Sequence, residues 1–408
     1  MDFDESPEET ALRAEARAFL DAHATRSDGA GLEDLETHRS HTEEEDKALL
    51  DRAREWQRTK AAAGWAAPTW PVEHGGRGLS PLLATLFAAE EADYDVIGRM
   101  FTVGVDMVGP TLLEWGTAEQ QSRWLPRILS AEDVWCQLFS EPGAGSDLAG
   151  LSTRAVLDGD EWVVTGQKVW TSGAHYSDLG MLLARTDPDV PKHRGITAMA
   201  LPMRAPGVDV RPLRQIDGAI HFNEVFLDEV RVPVAHTVGP EGSGWGVALS
   251  MLTHERASIG GGGMYRVAQL VDLARAMGRD RDPVVRQRLA RLHTSERLLE
   301  FLGYRVRTAA ARGVMPGPES SVMKLVVSDF YETGGDLMLD LEGAAGMLTR
   351  DDAPYGGRFQ DLFMAQWAPR IGGGTDQVQR NIIGERVLGL PGEVRADKSV
   401  PFRDLPRS

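Results

Sequence analysis

Two short segments of the chain carry residue types that could do chemistry. Residues 140–147 read SEPGAGSD. Two glycines, a proline and small hydroxyl residues allow a tight turn whose backbone N–H groups point at an anion or a ring edge, although an ordinary β-turn fits them equally well. Residues 166–172 read GQKVWTS, which places Trp170 beside two hydroxyl groups. A tryptophan there suits either the core or the wall of a flat cofactor.

Other motifs with a known chemistry are incomplete. His38 and His41 stand three apart beside a run of glutamates, but no fuller ligand set follows, so a solvated helix face is the better interpretation and no metal site is predicted. The run Gly260 to Gly263 lacks the Lys-Ser/Thr pair of a phosphate loop and suggests close helix packing. Neither a GxGxxG turn after a leading strand nor a GxSxG elbow is present.

Composition narrows the class of protein. The chain has 408 residues, enough for two or three domains, and a formal net charge of -17. An acidic chain without a basic patch argues against a nucleic-acid partner. The single cysteine, Cys136, cannot form an internal disulfide, which suits a reducing compartment. An acidic start without an apolar run, and no stretch of about 20 apolar residues, predict a cytoplasmic protein without a membrane partner.

The elements that must position these segments fall into three stretches. Residues 1–133 are predicted to form an N-terminal α-helical domain. The sequence from Ser6 to Glu9 favours a capped helix start, residues 117–120 resemble a second capping box, and Gly116 ends the helix before it. Residues 65–78 are predicted to be a loop and residues 79–94 a helix.

A middle β domain over residues 134–240 and a C-terminal α-helical domain over residues 241–395 are predicted next, followed by a loosely held polar tail, 396–408. Apolar or alternating runs predict strands over residues 161–165, 179–185, 196–202, 208–210 and 221–227. Helical periodicity is found over residues 246–259, 264–277, 284–312, 321–341 and 375–387. The order helices, strands, helices predicts an α+β fold.

Several motifs resemble those of the acyl-CoA dehydrogenase family. Besides the two segments described first, residues 223–226 and 230–233 read NEVF and VRVP, and residues 374–381 read GTDQVQRN. The motifs occur in the family's order and spacing, and the resemblance runs from about residue 4 to residue 392. It implies a helical N-terminal domain, a β-barrel-like middle domain and a C-terminal four-helix bundle.

The resemblance also implies how FAD is bound. Gln137, Phe139 and Ser140 would line the flavin ring. Trp170, with Thr171 beside it, would pack on the isoalloxazine, and Ser172 would hydrogen-bond near N5. Five further positions are implied to contact the cofactor: Ser146 at a phosphate-bearing part, Thr375 and Gln377 from the C-terminal loop, and Arg275 and Gln287 reaching a neighbour's flavin across a dimer interface.

The catalytic base is expected on a helix. Many family members carry it two residues before the threonine of the C-terminal loop, but this chain has Gly373 there. A minority, including isovaleryl-CoA dehydrogenases, place a glutamate immediately before an arginine on a helix, which matches Glu255 and Arg256. The peptide N–H of Gly373 would still polarise the thioester oxygen. Ser146, Arg256 and Leu252 would contact the substrate. Without the resemblance, Glu255 would be interpreted as an ordinary helix carboxylate.

The resemblance implies α,β-dehydrogenation of an acyl-CoA or acyl-carrier-protein thioester, with electrons passing to an electron-transfer flavoprotein and lipid metabolism as the setting. A homo-oligomer, dimer or tetramer, is expected, with a heteromeric assembly as a further option. Two alternatives remain open: an oxygen-using acyl-CoA oxidase or flavin monooxygenase of the same fold, and a non-catalytic subunit of a heteromeric dehydrogenase, which the missing loop glutamate would permit.

Overall fold

The structure is a computed structural model that describes residues 6–27, 42–98, 100–259, 264–311, 317, 320–349, 352–392 and 397–406. The chain divides into two units. The first contains the described residues within Met1–His38, Ser80–Asp95 and Gly260–Gly392, and the second those within Arg39–Leu79, Val96–Ile259 and Glu393–Ser408. The units cut across the three predicted domains, whose boundaries stay a prediction. His38, His41 and the run from Gly260 to Gly263 lie outside the described residues.

The helices follow the predicted order. They are α1 Pro7–His23, α2 Glu43–Ala62, α3 Pro81–Glu91, α4 Gly109–Trp115, α5 Ala118–Leu129, α6 Gly244–Ile259, α7 Val267–Ala276, α8 Pro283–Ala311, α9 Ser320–Glu342, α10 Arg358–Ala365, α11 Ala368–Ile371 and α12 Asp376–Ile382. Both predicted capping boxes are confirmed, at Ser6 with Glu9 and at Thr117 with Gln120. None of the helices that the described residues form is both long enough and apolar enough to cross a membrane.

The strands are β1 Trp135–Leu138, β2 Arg154–Asp158, β3 Glu161–Ser172, β4 Leu179–Arg185, β5 Ile196–Pro202, β6 Val208–Leu213, β7 Phe222–Pro233 and β8 Thr237–Val238. They form one mixed sheet in the order β6-β7-β3-β2-β4-β5-β8, with β1 paired to β4 in parallel. Among the described strands, β6 and β8 are the two ends of this order and do not pair with each other. A β-barrel-like domain was expected. The described strands instead form an eight-stranded mixed sheet that strand pairing does not close into a barrel.

The sheet separates two apolar cores in the second unit. Alternate residues of β4 and β5, such as Met181 and Ala198, join the helices α4, α5 and α6 in one core. Their neighbours, such as Leu182 and Met199, pack instead with β3 and β7 in another. Successive side chains of a strand point to opposite faces, so a strand buried on both faces is a continuous apolar run. This explains why β4 and β5 have the bounds that the sequence predicted.

In the first unit, four helices share one apolar core. α7, α8, α9 and α10 supply its residues, including Leu273, Leu292, Leu337 and Phe359. The helices α1 and α3 belong to the same unit, where Arg17 of α1 contacts the buried carboxylate of Glu90 at 2.6 Å. The helical content predicted for residues 264–341 is therefore confirmed.

The prediction of a loosely held tail is wrong for residues 397–406. Asp397 forms an ion pair with the buried Lys192 at 2.9 Å. The Phe402 ring lies under the Arg185 guanidinium, 3.8 Å from its centre, and the Phe402 amide donates to the Val190 carbonyl. Buried cations need partners, and the tail adds to those that Lys192 has in Asp147 and Arg185 has in backbone carbonyls.

Candidate active site

Trp170 has a backbone conformation that is unusual for a bulky residue. Its φ is +62°, in the left-handed region, where a bulky side chain is rare. The pairing of β3 with β7 is irregular here: Lys168 opposes Val225, whereas Thr171 opposes Asn223, so β3 carries one extra residue. Such a bulge re-aims a side chain. Trp170 is accordingly 62% exposed, and its ring makes a T-shaped contact with the Phe222 ring, with the two ring centroids 5.9 Å apart.

Two buried polar atoms near the ends of β1 and β3 are candidates for binding a ligand. Among the described residues, neither Nε2 of Gln137 nor Oγ1 of Thr171 has a hydrogen-bond partner. Buried polar groups are nearly always hydrogen-bonded, so each of these atoms is suited to a ligand group. With the exposed Trp170 ring, and with Ser172 half-buried beside it, they fit a flat ligand that has hydrogen-bonding edges. Phe139 is buried in the core, and its predicted contact with the flavin ring stays a prediction.

The glycine-rich segment is held by a buried ion pair that sequence reasoning did not single out. Glu141 lies 2.8 Å from Nζ of Lys168, and it also accepts hydrogen bonds from the amides of Ser152 and Thr153. Burial by itself would raise the pKa of Glu141, but the charge and the hydrogen bonds of these partners lower it to about 2. The same lysine donates to the Phe139 carbonyl. The pair therefore anchors the turn to β3.

The turn itself is tight and its tip is open. Glu141 and Ala144 exchange two backbone hydrogen bonds, at 3.0 and 3.1 Å. The Ser140 carbonyl accepts from the amide of Val169, which ties the segment to the bulge of β3. Ser146 is exposed. The predicted contacts of Ser140 and Ser146 with a cofactor or substrate stay predictions, at positions that this geometry leaves accessible.

Glu255 lies near the end of α6 in the second unit and is half-buried. The helix is anchored by Val247 and Met251, which are fully buried in the core shared with the sheet, and Leu252 packs against the same core. Ser250, also on α6, donates a hydrogen bond to Glu114 of α4. The side chain of Arg256 lies outside the described residues.

Gly373 lies in the first unit, in a left-handed turn. Its φ is +63° and that of Gly374 is +86°. The side chain of Gln379, which is 2% exposed, donates to both of their carbonyls, at 3.1 and 3.4 Å. This contact was missed by sequence reasoning, although a buried glutamine one turn into the following helix is a signal for it. It holds the backbone of the turn, which carries no side chain at position 373.

The start of α12 is fixed by a second cluster. Thr375 caps the helix by accepting from the amide of Val378. The buried Asp376 binds Lys324 and Arg370, each at 2.7 Å, and accepts from Ser328 at 3.0 Å. These partners lower the pKa of Asp376, although burial by itself would raise it. Thr375 is thus engaged as a cap.

The remaining predicted cofactor contacts of the first unit are on its surface. They are Gln377 in α12, Arg275 in α7 and Gln287 in α8, and all three are exposed. Arg275 pairs with Asp272 of its own helix at 2.9 Å. The roles of Arg275 and Gln287 toward a neighbouring subunit's flavin, and of Gln377 toward the cofactor from the C-terminal loop, stay predictions.

Comparison with known proteins identifies the family. Models of the N-terminal, middle and C-terminal domains of acyl-CoA dehydrogenases match residues 6–132, 136–230 and 242–388. The acyl-CoA dehydrogenase IpdE1 of Mycobacterium tuberculosis is 42% identical over 85% of this chain and 90% of its own. The chain therefore belongs to the acyl-CoA dehydrogenase family: it is an oxidoreductase acting on CH–CH groups, and its cofactor is FAD.

Two solved structures extend the comparison. The Tcur3481-Tcur3483 steroid ACAD superposes with a TM-score of 0.81 at 30% identity, covering 96% of this chain and 100% of that one. The ChsE4-ChsE5 complex of Mycobacterium tuberculosis superposes with a TM-score of 0.76, at the same identity and coverage. The predicted order of a helical, a sheet and a second helical domain is thereby confirmed.

Proposed function

We propose that the chain converts an acyl-CoA thioester to its trans-2-enoyl-CoA, with Glu255 as the base. The observation that carries the proposal is Gly373: the position has no side chain, and its left-handed turn suits glycine. A base must then come from another element. Glu255 is half-buried on a helix that is anchored in the core of the sheet, so its carboxylate has a rigid support.

FAD, when bound, supplies the acceptor for the β hydride. The chain must hold the thioester, remove the α proton and stabilise the charge that develops on the thioester oxygen. In this proposal Glu255 takes the proton at its carboxylate. The peptide N–H of Gly373 donates to the thioester oxygen, and Gln379 keeps that turn rigid by holding its carbonyls. Leu252, Ser146 and Arg256 are proposed to contact the substrate.

The cofactor contacts are proposed from the same geometry. Gln137 Nε2 and Thr171 Oγ1, which lack partners among the described residues, would bond to polar edges of the isoalloxazine. Trp170 would cover its face and Ser172 would donate near N5. Phe139 and Ser140 would line the ring, and Thr375, Gln377, Arg275 and Gln287 are proposed for the remaining contacts.

The acyl group is proposed to be bulky and steroid-derived. The support is the name of one relative, a steroid ACAD, at 30% identity over 96% of this chain. Anaerobic flavin reduction by linear, branched, aromatic and steroid side-chain acyl-CoAs tests it. Fastest reduction by a short linear thioester would contradict it.

The cytoplasmic location stays a prediction.

An electron-transfer flavoprotein as acceptor and an oligomer, homomeric or heteromeric, are also proposed. A heteromer has specific support, because one related structure is a complex of two differently named proteins, ChsE4 and ChsE5. Mass measurement of the purified chain in solution separates these cases. A monomer that binds FAD only after a second chain is added would establish the heteromer.

Glu255→Gln tests the base. The substitution preserves size and removes the proton acceptor, so the rate of anaerobic flavin bleaching by substrate should fall by roughly 10²–10⁴-fold while FAD stays bound. The matched control is Glu241→Gln, which neutralises an exposed carboxylate just before the same helix. Bleaching at the parental rate in Glu255→Gln would show that the base is elsewhere. A chain that cannot be loaded with FAD would favour a non-catalytic subunit.

A further inference from the structure

A chain of hydrogen bonds runs from α2 to the bulge that carries Trp170. Oδ2 of Asp46 lies 2.7 Å from Nε2 of His175, and Nδ1 of His175 lies 3.0 Å from Oδ1 of Asn223. The Asn223 amide then donates to the Thr171 carbonyl at 2.9 Å. The Asp46 and His175 side chains are each 13% exposed, and Asn223 is fully buried. Bonds with so little contact with water are well shielded.

The partners fix the hydrogens of this chain. The Asn223 amide nitrogen faces two carbonyl oxygens, of Thr171 and His221, which only accept. Its Oδ1 is therefore the atom that faces His175, and Nδ1 of His175 must donate to it. The Asp46 carboxylate also only accepts, so Nε2 donates as well. Each contact of the His175 ring is thus a hydrogen bond that the ring donates, and the one to the Asp46 carboxylate is charge-assisted.

The end of this hydrogen-bond chain lies beside the left-handed backbone of Trp170. Asn223 is the residue of β7 that opposes Thr171, directly after the extra residue of the bulge. A bulky residue in the left-handed region persists only where its surroundings hold it. The Asn223 amide supplies such a restraint on Thr171, and the His221 carbonyl, which it also binds, accepts from the amide of Gly173. The restraints therefore flank Trp170 on its C-terminal side.

We propose that Asp46, His175 and Asn223 are positioning residues that hold Trp170 and Thr171 in the geometry required by the flavin. The inference rests on the proposed contacts of Trp170 and Thr171 with FAD. None of the three side chains needs to touch the cofactor, since each acts through the next. Asp46 lies on α2, 129 positions before His175 in the sequence, and its hydrogen bond links α2 to this part of the site.

Three variants test the chain. Asp46→Ala and Asn223→Ala each break it, at opposite ends. Asp46→Asn should rescue it, because an amide N–H can donate to Nε2 of a neutral His175 that keeps its Nδ1 hydrogen. Asp51→Asn is the matched control, since Asp51 is exposed on the same helix. Thermal unfolding of each variant shows whether it is folded. If Asn223→Ala does not fold, the test relies on Asp46→Ala alone.

The readouts are the dissociation constant for FAD and the visible spectrum of the bound flavin. Both Ala variants should weaken FAD binding roughly tenfold, as expected for losing a charge-assisted restraint, and should shift the flavin absorption. Asp46→Asn and Asp51→Asn should stay within about twofold of the parent. Ala variants that match the parent in both readouts would overturn the proposal, and so would an Asp46→Asn variant as impaired as Asp46→Ala.

A parent chain that binds FAD neither alone nor with a second chain would contradict the proposed function and leave a separate test of the positioning. Amide hydrogen exchange over residues 170–173 can be measured without the cofactor. Exchange roughly tenfold faster in the Ala variants would support positioning of this backbone. Unchanged exchange would overturn it.

Discussion

At the scale of single residues, the site depends on buried charges that are paired. Glu141 shows this most clearly, because its carboxylate lies in the core and accepts from Lys168, Ser152 and Thr153. A buried charge that loses its partner is costly, whereas replacing both members of a buried pair by apolar residues often changes stability little. The pair thus serves mainly to specify how the turn of residues 140–147 sits against β3.

The pH dependence of stability follows from this carboxylate. The pKa of Glu141 is lowered from 4.5 to about 2 in the folded chain. The ionised form therefore stabilises the fold above pH 4.5, by roughly 3 kcal/mol, and this contribution is lost as the pH falls from 4.5 toward 2. Urea unfolding should show Glu141→Gln to be destabilised by about 3–5 kcal/mol at pH 7, with a smaller difference from the parent at pH 3.5.

The control for this prediction is the exposed Glu132→Gln, which should be within about 0.5 kcal/mol of the parent at both pH values. Adding Lys168→Met to Glu141→Gln should restore part of the stability, since the unpaired ammonium is then gone. An equal loss of stability at pH 7 and pH 3.5 would mean that the Glu141 carboxylate is not the titrating group.

At the scale of elements, the position of α6 is set by a close backbone approach. A Cβ on Gly244, the first residue of α6, would lie 2.7–2.8 Å from backbone atoms of Ile196, Thr197 and Ala198. Real Cβ atoms do not approach backbone this closely, so only glycine lets α6 begin against β5. Glu255 is on the same rigid helix, and its placement depends on this contact.

Two glycine substitutions separate this effect from helix propensity. Gly244→Ala should lower the free energy of unfolding by about 1–3 kcal/mol and reduce turnover, because the helix must shift. Gly303→Ala, inside α8 where a Cβ would meet no atom of the described residues within 4 Å, should raise stability by about 0.5–1 kcal/mol and leave turnover unchanged. Chemical denaturation and substrate-dependent flavin reduction measure both. Parental turnover in Gly244→Ala would refute the dependence of Glu255 on this approach.

At the scale of the whole molecule, distant stretches of sequence complete each unit. The second unit is closed by residues 397–406, which bind Lys192 and Arg185. Arg185 in turn donates to the carbonyls of Ala149 and Leu151, just after the glycine-rich turn. The end of the chain therefore supports the candidate cofactor loop through one buried arginine.

Removing the ring from this contact should be measurable. Phe402→Ala should lower the stability of the chain by about 1–2 kcal/mol, because it exposes Arg185 and removes the cation–π contact. The melting temperature should fall in proportion, while Lys398→Ala, an exposed change in the same segment, should leave it unchanged. Equal melting temperatures for Phe402→Ala and the parent would show that the tail is dispensable.

The sequence by itself determined the order of the helical and sheet domains and the family. Capping boxes, helical periodicity and the fully apolar runs of β4 and β5 are local signals, and a local signal predicts a local structure. The family motifs singled out the two segments, residues 140–147 and 166–172, that form the glycine-rich turn and the bulge. The sequence also showed that position 373 cannot carry a base.

The tertiary structure decided which side chains meet. Lys168 is 27 positions from Glu141, and His175 is 129 from Asp46, so no local pattern links them. The left-handed backbone of Trp170 likewise depends on how β7 opposes β3 across a bulge. Such contacts depend on the strand register and on the packing between distant elements. Register and packing are properties of the folded chain rather than of any short segment.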